Sequence, residues 1–180
     1  IWSSPEHWNR QRYPVDPSAE LAEMGIDFFV NISASPFTIG KSAIRRDVVS
    51  SKAKEHGLVT VYVNQVGAHD ELIFDGRSMV VDQNGDIVRK LAAFDEEVAV
   101  VSTDTSSHSS AQEKTGMSIE EEVYSALVLG VRDYVHKSGF KSICLGLSGG
   151  IDSALTAVIA VDALGADNVF GVAMPTRYSS

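Results

Sequence analysis

A strand, a glycine-rich turn, a helix and a second strand follow one another near the end of this 180-residue chain. An apolar run at 142–147 precedes the hexapeptide Ser-Gly-Gly-Ile-Asp-Ser at 148–153, and a helical run rich in Ala, Leu, Val and Ile continues to Leu164. Another strand-like run begins at Asn168. Strand, helix and strand in this order join through a right-handed crossover. The pattern therefore predicts an α/β fold with a parallel sheet, in which the first strand is buried.

The hexapeptide has the composition of a phosphate-binding turn. Gly149 and Gly150 allow backbone N–H groups and the positive end of the following helix to approach an anion. Ser148 and Ser153 add hydroxyl donors. Asp152 would repel a bare phosphate, so its carboxylate indicates a bridging Mg²⁺, which prefers oxygen ligands; the same residue also suits a helix cap. The turn predicts a site for a polyphosphate and a metal.

Composition narrows the class of protein. The hydrophobic content of 44% and the charged content of 22% are typical of a globular protein, and no apolar stretch has transmembrane length. The net charge of −9 argues against general nucleic-acid binding, which requires a basic face. The lone cysteine, Cys144, excludes an internal disulfide and fits a reducing cytoplasm. Because it lies in an apolar strand, we predict a buried structural thiol.

The first hundred residues alternate helical and strand-like runs. A helix is predicted from Ile39 to His56, and Gly57 is expected to end it as a C-cap. Its cationic side chains are expected in solvent: Arg45, Arg46, Lys52 and Lys54. Further strands are predicted at 27–32, 58–63 and 96–102. Asn84-Gly85 predicts a hairpin between strands at 77–81 and 86–91. Asp70 and Glu71 are expected side by side on a strand, where they would point to opposite faces.

A change in composition predicts two domains. Residues 103–116 are polar, with almost no large apolar side chain, and are interpreted as an exposed linker. A helix follows at 119–137, and Ser118 with Glu121 matches a capping box. We predict one domain at 1–103, a linker at 104–117 and a second domain at 118–180. The chain starts with Ile1 and stops at Ser180, and we expect it to be a segment of a longer polypeptide that is inactive alone.

The phosphate turn resembles the pyrophosphate-binding loop of the N-type ATP pyrophosphatases, which cleave ATP between the α and β phosphates and adenylate a substrate. The resemblance implies that ATP binds to eight consecutive residues: Gly146, Leu147, Ser148, Gly149, Gly150, Ile151, Asp152 and Ser153. It also implies that Asp152 is a Mg²⁺ ligand. A second candidate, Gly-Lys-Ser at 40–42, lacks the glycine that a Walker-type loop needs five residues earlier. No nucleotide is predicted to bind there.

The first half resembles the C-terminal half of a nitrilase-type amidase domain that supplies ammonia from glutamine. The resemblance rests on segments 31–37, 40–41, 62–67 and 70–78. It implies that Ser35 and Lys41 contact glutamine; a hydroxyl and an ammonium can hold the carboxylate of an amino acid. The same residues also suit a turn serine and a solvated lysine at a helix start. No catalytic residue is identifiable, and the Glu, Lys and Cys of that family are expected upstream of Ile1.

The order of the two halves is similar to that of the glutamine-dependent NAD⁺ synthetases. This implies the C-terminal half of a nitrilase-like α/β sandwich, followed by the start of a doubly wound parallel-sheet domain. It also implies ATP-dependent amidation of deamido-NAD⁺ through an acyl-adenylate, with ammonia from glutamine and release of AMP and pyrophosphate. The expected cofactors are ATP and Mg²⁺. The expected partners are deamido-NAD⁺, ATP and glutamine, without nucleic acid or membrane, in a cytoplasmic homo-oligomer.

Two alternatives remain open. The first is another pyrophosphate-loop adenylating enzyme, such as a GMP or asparagine synthetase or a tRNA sulfur-transfer enzyme. These resemble the chain only at 148–153, and a tRNA-modifying enzyme should be more basic. The second is a catalytically degenerate nitrilase-like scaffold, which the intact phosphate turn disfavours.

Overall fold

The computed structural model describes residues 15–104 and 116–173. The chain divides into two compact units, Ile1–Val66 with Phe74–Gly116 and Gly67–Ile73 with Met117–Ser180. The helices and strands, in chain order, are α1 Pro17–Glu23, β1 Phe28–Ser33, α2 Lys41–His56, β2 Val59–Asn64, β3 Val66–His69, β4 Leu72–Asp75, β5 Met79–Val81, β6 Ile87–Lys90, α3 Ile119–Lys137, β7 Ile143–Leu147, α4 Ile151–Leu164 and β8 Val169–Ala173.

A four-stranded mixed sheet in the order β1-β2-β5-β6 forms the centre of the first unit. β1 runs parallel to β2, whereas β5 is antiparallel to both β2 and β6. α2 packs on one face of this sheet, and it ends at Gly57, whose φ of 63° suits a glycine C-cap. The buried core between helix and sheet consists of Val49, Ala53, Tyr62, Met79 and Val81.

Two of the four cations predicted to be solvated on α2 are buried instead. Arg45 has no exposed surface and Lys52 has 8%, whereas Lys54 is exposed as predicted. Arg45 and Lys52 both lie on the face of α2 that packs against the sheet. Burial of a charge is tolerable only with a charged or hydrogen-bonding partner. The sequence pattern of the helix could not reveal those partners, because they come from other parts of the chain.

The partners of Lys52 are two carboxylates. Its Nζ atom lies 2.6 Å from Asp16 Oδ2, just before α1, and 2.7 Å from Glu55 Oε2, one turn further along α2. Asp16, Glu55 and His56 lie close enough together to offer ligand atoms to one cation. The Lys52 ammonium supplies the positive charge between the two carboxylates, so this cluster serves to join α1 to α2.

The Lys52–Asp16 pair predicts a loss of stability in acid. Burial alone would raise the pKa of Asp16, but hydrogen bonds from Lys52 and Ser18 outweigh that effect and hold its pKa well below the usual range. Because the unfolded carboxyl titrates near pH 4, its stabilisation is complete above that pH and is lost as the pH falls towards the folded-state pKa. We expect Asp16→Asn to be less stable than the wild type at pH 7. In urea unfolding of the full-length protein, that difference should shrink from pH 5 to pH 3; a constant difference would contradict the assignment.

The Asn-Gly hairpin is confirmed. β5 and β6 are joined by a tight turn in which the Asp82 N–H donates to the Asp86 carbonyl at 2.9 Å. Gly85 has a φ of 89°, which favours glycine.

The strand predicted at 96–102 is wrong. This segment forms no strand within the described part of the chain, and Val98 and Val100 are fully exposed. A strand persists where its N–H and C=O groups pair with a neighbour, and no described strand pairs with this segment.

In the second unit, two helices cover a two-stranded parallel sheet. α3 starts with the predicted capping box: the Glu121 N–H donates to Ser118 Oγ at 3.2 Å, and the Ser118 N–H donates to Glu121 Oε2 at 2.7 Å. β7 and β8 pair in parallel across α4, as predicted, so the α/β class is confirmed. The residues that pack between the helices and the sheet are Val128, Val131, Val135, Ile143, Ala163, Leu164 and Val169. In 15–104 and 116–173, none of the helices combines the length and hydropathy that crossing a bilayer requires.

Cys144 is exposed, so the prediction of a buried thiol is wrong. Its neighbour across the sheet, Phe170, is 57% exposed, and Val172 is 49% exposed. Within the described residues both helices pack on the opposite face, which carries Ile143 and Val169. β7 is therefore half-buried, and its apolar composition did not distinguish one covered face from two.

Asp70 and Glu71 form the turn between β3 and β4, so their placement on a strand is also wrong. Asp70 adopts a φ of 50°, which aspartate tolerates better than most residues. β3 packs against α3: the Ala68 N–H donates to Asp133 Oδ2 at 2.7 Å, and Lys137 Nζ donates to the Ala68 carbonyl at 2.7 Å. The N–H and the carbonyl of Ala68 therefore both hydrogen-bond to side chains of α3, which holds the β3–β4 hairpin against that helix.

Candidate functional site

The predicted phosphate turn lies between the end of β7 at Leu147 and the start of α4 at Ile151. Gly149 has a φ of 84°, a conformation that side chains strain, and a Cβ atom there would have no neighbour within 4 Å. Gly150 is the N-cap of α4 and provides no side-chain cap. The first N–H groups of a helix have no acceptor within it. They are therefore available to an anion approaching the open side of the turn.

The structure brings the two predicted hydroxyl donors together. Ser148 Oγ and Ser153 Oγ lie 3.2 Å apart. Ser153 Oγ donates to the Gly150 carbonyl at 2.9 Å, and the Gly150 N–H donates to Ser148 Oγ over a long 3.4 Å. The two serines therefore bond within the loop, and residues 148–152 are exposed.

Asp152 is the second residue of α4 and is exposed beside this turn. It does not cap the helix, because Gly150 occupies the N-cap position. Its carbonyl accepts from Thr156 Oγ1 at 2.8 Å, and within the described residues no hydrogen bond or ion pair engages its carboxylate. An exposed carboxylate next to hydroxyls and helix amides is a donor set that fits a hard cation shared with a phosphate.

The two residues expected to contact glutamine flank one turn in the first unit. Ser35 follows β1, is 7% exposed, and donates its N–H to Asn64 Oδ1 at 2.9 Å. Lys41 is the first residue of α2, and its Nζ donates to the Pro36 carbonyl at 3.0 Å. Gly40 before it has a φ of 79° and is the N-cap, which explains the Gly-Lys-Ser sequence without a nucleotide. Lys41 therefore reaches the residue next to Ser35.

A buried ion pair behind Ser35 was not foreseen. Arg45 Nη2 lies 3.0 Å from Asp75 Oδ1, and Arg45 Nη1 lies 3.2 Å from Asp75 Oδ2, so the pair is bidentate. Both side chains are almost completely buried, with exposures of 0% and 1%. A signal existed in the sequence: Arg45 lies three and four residues before Val48 and Val49, on the apolar face of the helix.

Asn64 completes what we call the Ser35 network, composed of Ser35, Arg45, Asn64 and Asp75. Asn64 Nδ2 donates to the Ser35 carbonyl at 3.3 Å and to the Gly76 carbonyl at 3.1 Å. Arg45 Nη2 approaches the Ser35 carbonyl at 3.4 Å and Ser35 Oγ at 3.5 Å. The backbone of Ser35 is thereby fixed by side chains from α2 and β2.

Tyr62 lies beside this network. Its ring centre is 5.9 Å from the Arg45 guanidinium carbon. Burial raises the pKa of Tyr62, although the Arg45 charge and the hydroxyls of Ser33 and Ser35 oppose that shift. The phenol is therefore neutral at physiological pH and adds no charge to the Ser35 network.

Comparison with known proteins accounts for both halves. Residues 9–113 match the carbon-nitrogen hydrolase family, and residues 123–180 match the NAD synthase family. The chain is 45% identical to a glutamine-dependent NAD(+) synthetase of Synechocystis sp., covering 100% of this chain and 33% of that protein. It is 39% identical to one of Thermotoga maritima, over 96% of this chain and 35% of that protein.

Solved structures agree. The glutamine-dependent NAD+ synthetase from Acinetobacter baumannii, solved in complex with ADP, superposes with a TM-score of 0.82 at 43% identity and covers 90% of this chain and 31% of that one. The corresponding synthetase from Cytophaga hutchinsonii has a TM-score of 0.74 at 23% identity, over 88% of this chain and 33% of that one, which supports the fold. The predicted fold class, part of a nitrilase-like domain followed by the start of an NAD synthase domain, is confirmed.

The chain spans about a third of the length of the curated relatives it matches. Its two matched segments follow the order predicted from the phosphate turn and the amidase-like motifs. Through residues 9–113 the chain belongs to the carbon-nitrogen hydrolase family, and its residues 123–180 are similar to the NAD synthase family.

Proposed function

We propose that this chain is part of an enzyme that amidates deamido-NAD⁺ to NAD⁺ with ATP and with ammonia from glutamine. One observation supports it above the others: a carbon-nitrogen hydrolase segment precedes an exposed glycine turn at the uncapped start of a helix. In the proposed reaction the nicotinate carboxylate attacks the α-phosphorus of ATP and pyrophosphate leaves. Ammonia then attacks the acyl carbon, loses a proton and displaces AMP.

The phosphate turn would bind the departing pyrophosphate. Negative charge develops on that group in the adenylation step, and donors fixed in advance stabilise it without reorganising. The first amides of α4 are such donors. The Ser148 and Ser153 hydroxyls lie 3.2 Å apart and bond within the loop, and they would turn their protons to the phosphate when it binds. Asp152 would hold a Mg²⁺ ion, which when bound neutralises charge on the phosphate oxygens.

The proposed glutamine site contains Ser35 and Lys41. Lys41 carries a positive charge and Ser35 a hydroxyl, and the Lys41 ammonium already reaches the Pro36 carbonyl. A carboxylate held by an ammonium and a hydroxyl gains charge-assisted hydrogen bonds. We propose that these two residues bind the α-carboxylate of glutamine and so position the side-chain amide for cleavage.

We also propose that residues 1–103 form the amidase part, 104–117 a linker and 118–180 the start of the adenylating part. The first family match ends at residue 113 and the second begins at residue 123, which supports a junction between the two parts near the end of the proposed linker. The alternative of another pyrophosphate-loop enzyme leaves the carbon-nitrogen hydrolase segment without a role.

The test uses the full-length protein with ATP, Mg²⁺ and deamido-NAD⁺. We expect NAD⁺, AMP and pyrophosphate to form in equal amounts when either glutamine or ammonium is the nitrogen source, and none of them without ATP. The controls replace deamido-NAD⁺ by xanthosine monophosphate or by aspartate, the acceptors of the two competing synthetases. Turnover of a control acceptor, or no NAD⁺ with either nitrogen source, would contradict the proposal.

A further inference from the structure

We propose that Arg45 is a positioning residue for glutamine: it fixes Ser35 in place and directs the Ser35 hydroxyl proton towards the substrate carboxylate. This role rests on the proposed function, since it assumes that Ser35 binds glutamine. Arg45 itself, with no exposed surface, does not reach the substrate.

The geometry ties Ser35 to a rigid support. Arg45 is locked by its bidentate contact with Asp75, at 3.0 and 3.2 Å, and a planar guanidinium held at both ends has little rotational freedom. Its Nη2 atom extends to the Ser35 carbonyl and hydroxyl, at 3.4 and 3.5 Å. Asn64 holds the Ser35 N–H from the other side at 2.9 Å. All three polar groups of Ser35 therefore have a fixed neighbour.

The direction of donation determines where the Ser35 proton can go. A guanidinium has only N–H donors, so Ser35 Oγ is the acceptor in its contact with Arg45. Its O–H then remains for a partner that accepts, which is the neighbouring Tyr62 oxygen or, more strongly, a charged substrate oxygen. A carboxylate consists only of acceptors when ionised, and it therefore matches this hydroxyl, whereas an ammonium or amide N–H group does not.

Stability alone does not account for an arginine at this position. The same face of α2 buries the apolar side chains of Val48, Val49 and Ala53, together with one other cation, Lys52, which pairs with carboxylates at its edge. Moving an ion pair out of water costs more than it commonly returns, and apolar replacements of such pairs are often neutral or stabilising. Moreover, Arg45 Nε is buried without a hydrogen-bond partner in the described part of the chain.

The experiment compares Arg45→Lys and Arg45→Met in the full-length protein. Lysine keeps the charge but cannot form the fork, and methionine fills the space without a charge. Asp75 retains a cation in both variants, because its Oδ2 lies 3.8 Å from Arg77 Nε. For folded variants we expect the KM for glutamine to rise about tenfold or more, with kcat within about twofold, because a charge-assisted contact to the binding residue is lost. Arg45→Lys should show the smaller increase.

NAD⁺ synthesis with saturating ammonium is the second readout, because it does not need the glutamine site. It should stay at the wild-type rate in both variants. Arg46→Lys is the matched control: the neighbouring arginine is 40% exposed and pairs with Asp47 on the surface, and the glutamine KM should not change.

The possible outcomes distinguish a positioning role of Arg45 from a purely structural role and from a failure of the proposed function. If folded Arg45→Met keeps the wild-type KM for glutamine, the positioning role is wrong. The same holds if glutamine- and ammonium-dependent rates fall by the same factor at constant KM, as a purely structural role would predict. Should one variant not fold, the other decides. If the wild type makes no NAD⁺ from either nitrogen source, the proposed function fails instead.

Discussion

Replacing Asp152 by asparagine should reduce ATP-dependent pyrophosphate release by about a hundredfold or more, the scale on which charge stabilisation acts in such transition states. The side chain is exposed next to the phosphate turn, at the second position of α4, and does not cap the helix. Asparagine keeps its size and removes the negative charge, so the loss isolates the contribution of the carboxylate to holding Mg²⁺. Pyrophosphate release is measured in the full-length protein with deamido-NAD⁺ and ammonium.

Two further measurements make this substitution decisive. Glutamine hydrolysis should remain measurable, because Ser35 and Lys41 lie in the other unit. The Mg²⁺ concentration that gives half-maximal ATP binding should rise. Asp162→Asn is the matched control, since this residue lies ten positions further along the same helix and accepts from Tyr124 OH. Unchanged synthesis and unchanged Mg²⁺ dependence in Asp152→Asn would defeat the metal assignment.

Replacing Asp75 by alanine should lower the free energy of unfolding of the first unit by about 3–5 kcal/mol, the cost of leaving a buried charge without its partner. Arg45 would lose both contacts of its bidentate pair, and Arg77 would lose a carboxylate 3.8 Å away. Neither arginine could recover water, because both side chains are buried. Urea unfolding of the full-length protein, followed by circular dichroism, measures the loss.

The chain offers a matched surface pair for comparison. Arg46 Nε lies 3.1 Å from Asp47 Oδ1, but the two side chains are 40% and 54% exposed. Exposed pairs contribute little because water and salt screen them. Asp47→Ala should therefore leave the unfolding curve almost unchanged. Equal effects of Asp75→Ala and Asp47→Ala would show that burial does not determine the strength of the Arg45–Asp75 pair.

Local sequence determined the elements that depend on neighbouring residues. The capping box at Ser118, the Asn-Gly hairpin and the glycine end of α2 are all present as predicted. The strand–turn–helix geometry at 147–151 was predictable for the same reason, since its glycines, serines and helix lie within a few consecutive residues, and its binding of phosphate stays a prediction. Contacts of this kind form between groups that the chain brings together by covalent connection, so composition and spacing predict them directly.

Tertiary structure alone decided which faces are covered and which charges are paired. Arg45 and Lys52 were predicted to be solvated because they are charged. The prediction failed because their carboxylate partners, Asp75 and Asp16, lie 30 and 36 positions away in the chain. The predictions for Cys144 and for segment 96–102 were wrong in the opposite sense, because burial and strand pairing were predicted and are absent in the described residues. An apolar or alternating pattern leads to burial or pairing only where another element covers or pairs with it. Burial and long-range ion pairs are properties of two segments at once, and no single stretch of sequence contains both.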